Sequence, residues 1–373
     1  MNVPPFPAAP PQALHQLMAR SMAQAGGWLG FDRFMAMALY APGLGYYSRQ
    51  DHFIGSDPAR SDFVTAPTLG PWLGQTLAHP VRQALDHTGT DAVWEFGAGN
   101  GALALQLLDH LGDAVQRYTI IELSGALRQR QQITLAAHAH KVQWLSEWPE
   151  ALDGVVVGNE VIDAMPVRLL QRRQGLWHER GVVAAGADPA QPWQWQDRPT
   201  DLRPPLAIEG EHDYLTEVHP QAEAFVRSLA ERMQRSPRQG VVILLDYGFP
   251  ESEYYHPQRH MGTVMCHRAH RADSDPLADV GLKDITAHVN FTGLALAAQD
   301  AGLQVLGYTS QANYLLNCGI LPLLQALPSE QRNLALKLVH EHEMGELFKV
   351  LVLGHGPAWL PMGFERGDRT HAL

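Results

Sequence analysis

Apolar positions recur along the chain with two different periods. Over residues 13–40 the spacing is helical: Leu14, Leu17, Met18 and Met22 share one face, and Phe31, Phe34, Met35 and Leu39 follow in the same rhythm. From residue 92 short apolar runs take over, AVWEF (92–96), RYTIIEL (117–123), KVQWL (141–145) and GVVVGN (154–159). Helical patterns separate the first three runs, and Leu103, Leu107, Leu108 and Leu111 give the first of these helices one apolar face. Strands alternating with short helices predict an α/β fold with a parallel, doubly wound sheet, whose strand order is not readable from sequence. The rhythm breaks over 166–215, where VRLLQRRQGLWHERGVVAAGA alternates like a hairpin and a Pro-, Gln- and Trp-rich stretch follows. It resumes with a helix near 217–235, the strand GVVILLDYG (240–248), a helical FTGLALAAQDAGL, the strand-like QVLGYTS, a helical 328–346 and a last strand, FKVLVLG.

This pattern divides the chain into an N-terminal helical cap over 1–90, a core built from 91–165 and 236–373, and an insertion over 166–235. The insertion is the natural place for partner contacts; its Trp177, Trp193 and Trp195 suit either an interface or a small core of their own. Residues 249–290, rich in Gly, Pro and His, form a long irregular segment of the kind that carries function or disorder.

Composition narrows the function class. A net charge of −11, from 28 basic and 39 acidic residues, argues against a nucleic-acid partner. Two distant cysteines, Cys266 and Cys318, make neither a disulfide framework nor a paired metal site and fit a reducing compartment. No apolar run reaches the roughly 18–20 residues that span a bilayer. The first residues lack a basic start with an apolar core and are poor in arginine, so the expected location is cytoplasmic. His256, His260, His267 and His270 are dense but lack the short ligand pairs of zinc sites, so no metal is expected.

The chemistry concentrates in VWEFGAGNGALALQLL (93–108). A strand entering Gly97, Gly99 and Gly101 and then a helix makes a tight turn that lets a ligand approach the backbone and the helix N-terminus. A P-loop reading fails because no Lys-Ser/Thr follows the glycines. A dinucleotide reading survives on spelling, since Gly97, Gly99 and Ala102 satisfy GxGxx(G/A) and Glu122 sits where a ribose-binding acid belongs. Three details favour S-adenosyl-L-methionine over NAD. The third glycine gives a G-x-G-x-G spacing. Glu95 can accept loop N–H bonds beside a cationic sulfonium but would repel a pyrophosphate. Glu147 and Trp148, after the third strand, suit the amine and ring face of an adenine. Leu123 and Ser124, following Glu122, complete this cofactor crevice.

Several blocks together resemble the MidA-type methyltransferases: FMAMALYAPGLGYY (34–47), DFVTAP (62–67), EFGAGNGALA (95–104), GNEVIDAMPV (158–167), YGFPESEYYHPQRHMGTVMCHRAH (247–270) and DITAHVNFTGLA (284–295). The resemblance implies an S-adenosyl-L-methionine-dependent methyltransferase on a Rossmann-like class I sheet, with a protein arginine as the acceptor. Eukaryotic members of that family are mitochondrial and act in respiratory complex I assembly. Without a recognisable mitochondrial address here, a cytosolic bacterial-type member is expected, with a protein substrate and a homodimer allowed for. Another methyl acceptor, an NAD-linked oxidoreductase and a non-catalytic assembly factor stay open as alternatives.

Within this reading Asn159 faces the cofactor, and Glu160 and Asp163 clamp a guanidinium whose pKa lies above about 12 and whose proton must be taken. The alternative for Asp163 is a cap on a following helix. In DITAHVNF, alternation would place Thr286, His288 and Asn290 together, with His288 as base or substrate hydrogen bonder or as a structural histidine. GLGYY and TAP would fold over the cofactor mouth, Tyr46, Tyr47 and Thr65 supplying hydroxyls.

Overall fold

The computed structural model describes residues 12–49, 65–186 and 191–373. The Pro/Ala-rich start and residues 62–64 of the DFVTAP block lie outside these residues. Among the described residues eight strands form the main sheet, seven of them in one path, β1 (Ala92–Phe96), β2 (Arg117–Ile121), β3 (Val142–Leu145), β4 (Gly154–Asn159), β5 (Gly240–Phe249), β6 (Gln304–Ser310) and β7 (Phe348–His355), with the short Val289–Asn290 paired in parallel to the end of β5. The spatial order of the seven is β6-β7-β5-β4-β1-β2-β3. All pairings are parallel except those of β7, which runs antiparallel to both β5 and β6. The sheet thus carries the expected Rossmann-like methyltransferase architecture.

Period-two alternation explains why these strands read as unbroken apolar runs: each face of the sheet is covered by helices. On one face Val155, Val157, Val241 and Ile243 pack against helices α1 (Trp72–Thr88) and α2 (Ala102–Leu111). The intervening Val156, Val242 and Leu244 point the other way. They meet Val226 and Leu229 of α4 (Pro220–Arg235) and Leu294 of α5 (Phe291–Asp300). Helix α3 (Gly125–Thr134) connects β2 to β3 and is capped by Ser124, whose hydroxyl accepts from the Leu127 N–H at 3.3 Å. The helix expected over 328–346 ends at Leu336, because the chain turns extended at His340 before entering β7.

A second body sits at the carboxyl ends of the strands. The hairpin Arg168–Arg173 and Leu176–Ala184 is extended by Tyr214–Val218 and Trp193–Pro199, and by Leu29–Gly30 from the N-terminal segment. Leu14, Met18, Phe31 and Phe34 of the N-terminal helices therefore share one core with Leu169, Val182 and Trp193 of the insertion. Cys266 and Ile285, from a small sheet of Met265–Arg268, Arg271–Asp273 and Asp284–Thr286, join the same core. The three tryptophans are spent inward: Trp193 packs edge-on against Phe34 at 6.1 Å, Trp195 against Phe31 at 5.4 Å, and Trp177 against Tyr214 at 6.5 Å. Helix α4, read from sequence as part of the insertion, lies instead on the main sheet, because its buried stripe matches the β4–β5 face. Among the described residues no helix is long and apolar enough to cross a membrane.

Phe34 is fully buried where cap and insertion meet. Phe34→Ala should cost about 3–5 kcal/mol in a denaturant titration. A loss below about 1 kcal/mol would show that the two segments fold without this shared core.

Candidate active site

The turn between β1 and α2 carries left-handed backbone at Gly97 (φ 66°), Gly99 (φ 53°) and Gly101 (φ 85°). A Cβ at Gly97 would come within 2.6 Å of Val161 Cγ2, so the turn also needs glycine for space. Past the end of β2, Glu122 is anchored by two donors: the Ser124 N–H to Oε1 at 2.8 Å and Gln131 Nε2 to Oε2 at 2.9 Å. Burial lifts its carboxyl above the usual range, and these donors oppose the rise. Gln131 also donates to Gly99 O at 2.9 Å and accepts from Trp144 Nε1 at 3.0 Å. One buried amide thus ties the glycine turn, the acid and β3 together. Sequence reading missed Gln131; its signal is that it falls four residues after Leu127, on the buried face of α3.

Glu95 lies on the cavity wall but not with the partner expected of it. Its Oε2 accepts from the Tyr118 hydroxyl at 2.6 Å rather than from loop N–H groups, because alternation puts both residues on one face of neighbouring strands. Burial raises Glu95 to about 7 against the pull of Tyr118. After β3, Glu147 and Trp148 reach the same cavity, as do Leu123 and Ser124. Trp148 is braced by Phe96 at 4.9 Å and Phe225 at 5.4 Å, with the Arg232 guanidinium 4.6 Å over its ring.

Beyond β4 the chain enters a rare conformation: Glu160 has φ 52°. Glu160 Oε1 accepts from Asn159 Nδ2 at 3.0 Å and from the Ala66 N–H at 3.4 Å. The Asn159 Oδ1 and Asp163 Oδ1 atoms are buried with no hydrogen-bond partner among the described residues. Burial first, and the Asp163 charge second, push Glu160 up to about 8; burial pushes Asp163 up to about 6 against the Tyr247 hydroxyl. No helix follows Asp163, since the next element is the strand Arg168–Arg173, so a capping role has no helix to serve.

The N-terminal segment closes the cavity with two stacked rings, Tyr40 and Tyr47, at 5.6 Å. The Tyr47 hydroxyl lies 2.8 and 2.9 Å from the two carboxylate oxygens of Asp284, and the Tyr40 hydroxyl donates to Ala164 O at 2.8 Å. Tyr46, expected at the cofactor mouth, points into the N-terminal core instead, since consecutive residues of its turn face opposite ways. Thr65 reaches the wall and caps the short helix Ala66–Leu69. Thr286 and His288 also line the cavity, but Asn290 does not: its Oδ1 caps α5 by accepting from the Gly293 N–H at 3.2 Å. Burial, then Arg259 and Lys349, hold His288 down to about 4, and it stands edge-on to Tyr247 at 5.3 Å. The cavity, open on one side, has a volume of about 1240 Å³. The sequence reading named neither Tyr40 nor Tyr247 individually, because aromatic residues at helix and strand ends look like ordinary core.

Comparison with known proteins agrees with this geometry. A family model for S-adenosyl-L-methionine-dependent methyltransferases matches residues 73–309. A Burkholderia thailandensis protein crystallised with S-adenosyl-homocysteine is 46% identical, with a TM-score of 0.89 over 97% of each chain. Curated relatives are named protein arginine methyltransferase NDUFAF7, mitochondrial, in Danio rerio and the NDUFAF7 homolog in Caenorhabditis elegans. The first is 26% identical over 86% of this chain and 80% of its own length, the second 25% over 85% and 79%. These names overturn the cytoplasmic expectation, because the relatives are mitochondrial. A scarcity of arginine near residue 1 was an absence, and an absence fixes no compartment.

Gln131→Leu should weaken S-adenosyl-homocysteine binding about tenfold by calorimetry, since it frees Glu122 and the Gly99 carbonyl together. An unchanged affinity would show that Gln131 does not hold the crevice. Glu160 carries a raised carboxyl in the folded state, so its contribution to stability falls as pH rises from about 4.5 toward 8. Glu160→Gln should therefore melt a few degrees higher than the parent at pH 8, with the difference vanishing near pH 4; a lower melting temperature at pH 8 would contradict the burial argument.

Proposed function

The chain belongs to the family of S-adenosyl-L-methionine-dependent methyltransferases whose model it matches, with S-adenosyl-L-methionine as cofactor, and on that premise we propose that it methylates an arginine side chain of a protein. The observation that carries the acceptor is the pair of half-buried Glu160 and buried Asp163 at the cavity wall, beside the rings of Tyr40, Tyr47 and Tyr247. A guanidinium is a flat cation that two N–H groups can present to a carboxylate, and aromatic faces accept its plane. The curated relatives' names support the same acceptor.

The residues present fit the cofactor. Glu122, held by two donors with lone pairs to spare, would take the ribose hydroxyls; Trp148 and Leu123 would flank the adenine, and Glu147 its amine. The glycine turn and the unpartnered Asn159 Oδ1 would receive the methionine end. When bound, the cofactor supplies a methyl group on a sulfonium whose sulfur keeps the bonding pair and leaves as a neutral thioether.

The chain's own work is orientation and proton handling. An arriving guanidinium draws the raised carboxyls of Glu160 and Asp163 back toward ionisation. The paired oxygens then hold one guanidinium nitrogen in line with the methyl carbon, which is where most of the rate enhancement resides. Glu160 would take the proton that the methylated nitrogen gives up, its burial favouring the protonated form. His288, neutral, offers a hydrogen bond to the acceptor, and the Tyr40–Tyr47 plank excludes water.

Labelled-methyl transfer into lysate protein, with the label located on arginine, tests the acceptor; label on any other residue would refute it. Glu160→Gln should reduce transfer about a hundredfold or more while S-adenosyl-homocysteine affinity stays within about threefold. Near-normal transfer would dispose of the clamp. Because the carboxylates must be ionised to work, the parent's rate should climb from about pH 6 to about 8, and a flat profile would contradict this assignment.

A further inference from the structure

Asp246 is a buried acid that does not reach the cavity wall. Asp246, on β5, is completely buried, and its Oδ2 accepts three consecutive backbone N–H groups, those of Val161 at 3.1 Å, Ile162 at 2.8 Å and Asp163 at 3.2 Å. Its Oδ1 accepts from the Tyr247 N–H at 2.9 Å. The residue just before this run is Glu160, left-handed at φ 52° and joined to β5 by its own N–H to Leu245 O at 2.9 Å. A non-glycine residue keeps such a conformation only when its surroundings over-determine it. Three N–H groups converging on one oxygen form an anion nest, here filled by a side chain of the neighbouring strand.

We propose that Asp246 is the positioning residue of the carboxylate pair: by gathering the N–H groups of residues 161–163 it holds Glu160 left-handed and keeps Glu160 and Asp163 aimed at the transferred methyl group. The proposal rests on the reading that this pair faces the methyl. Asp246 touches neither cofactor nor acceptor. Removing its side chain leaves three buried donors without a partner, so the 160–163 segment relaxes and the pair loses its aim. Glu122, Gln131 and the Gly99 carbonyl, which carry the rest of the cofactor, are tied to one another rather than to the 160–163 segment.

Two cofactor analogues separate aim from general integrity and need no acceptor. Sinefungin carries an amine-bearing carbon where the sulfonium would be, so its ammonium lies at the position of the methyl group; S-adenosyl-homocysteine has nothing there. Calorimetry on the full chain should show the parent binding sinefungin about tenfold or more tightly than S-adenosyl-homocysteine, through a charge-assisted bond to the pair. Asp246→Ala should bring the ratio to within about twofold while S-adenosyl-homocysteine affinity holds within about threefold. Asp246→Asn keeps an acceptor oxygen but turns an amide toward the Tyr247 N–H, so an intermediate ratio is expected, and it serves if the alanine variant does not fold. A parental ratio in these variants, or a parallel loss of both ligands, overturns the proposal, since a merely structural residue would leave the ratio alone. Glu160→Gln is the control for the underlying reading: if the parent shows no preference, or Glu160→Gln keeps it, the pair does not face the methyl and both ideas fall. If Glu160→Gln loses the preference and Asp246→Ala keeps it, only the role of Asp246 falls.

Discussion

A strand buried on both faces tolerates a carboxyl only where hydrogen-bond donors meet it. That constraint organises this protein. The four central strands are largely apolar, and each carries a carboxyl in its second half or just past its end: Glu95 on β1, Glu122 after β2, Glu160 after β4 and Asp246 on β5. Because the four strands are parallel and adjacent, these acids arrive at one edge of the sheet. Burial pushes all these carboxyls upward, neighbouring carboxylates add to the rise at Glu160 and Asp246, and the hydrogen bonds that each accepts oppose it.

The second body turns that edge into a covered site. An open sheet edge would hydrate its acids and restore ordinary values. The N-terminal helices pack on the insertion through a common core and bring Tyr40 and Tyr47 across the crevice. Each of these hydroxyls has a committed acceptor, Ala164 O for Tyr40 and Asp284 for Tyr47, so the plank is registered to the acids rather than merely resting over them. Segments far apart in the chain, around 40–47, 159–166, Tyr247 and 284–288, thereby build a single cavity.

Such a site is held against its own chemistry. Buried carboxyls near one another and a non-glycine residue at positive φ both oppose folding, and they persist because parts with no contact to the ligand compensate. Gln131 does so behind Glu122 and the glycine turn and Asp246 behind residues 160–163, each by serving several partners at once. A buried polar group with this many partners is rigid, and rigidity at the edge is what in-line transfer requires.

Much of this was legible beforehand. Continuous apolar runs of four to seven residues marked the strands, and their bounds agree closely with β1, β4, β5 and β7. Glycine spacing with a downstream acid singled out the cofactor crevice, since a tight turn and a close backbone approach leave few residue choices. The acids Glu160 and Asp163 were visible because charge beside a buried strand is rare. Tertiary structure alone decided the strand order, the placing of α4 on the main sheet, the inward use of the tryptophans, and the choice of Tyr47 over Tyr46 and of Asn290 as a cap. It also revealed Gln131 and Asp246, whose partners lie up to 85 residues away. Local sequence encodes what a residue does to its own backbone and its own face; which distant group completes its hydrogen bonds depends on how the layers stack, and no local pattern carries that.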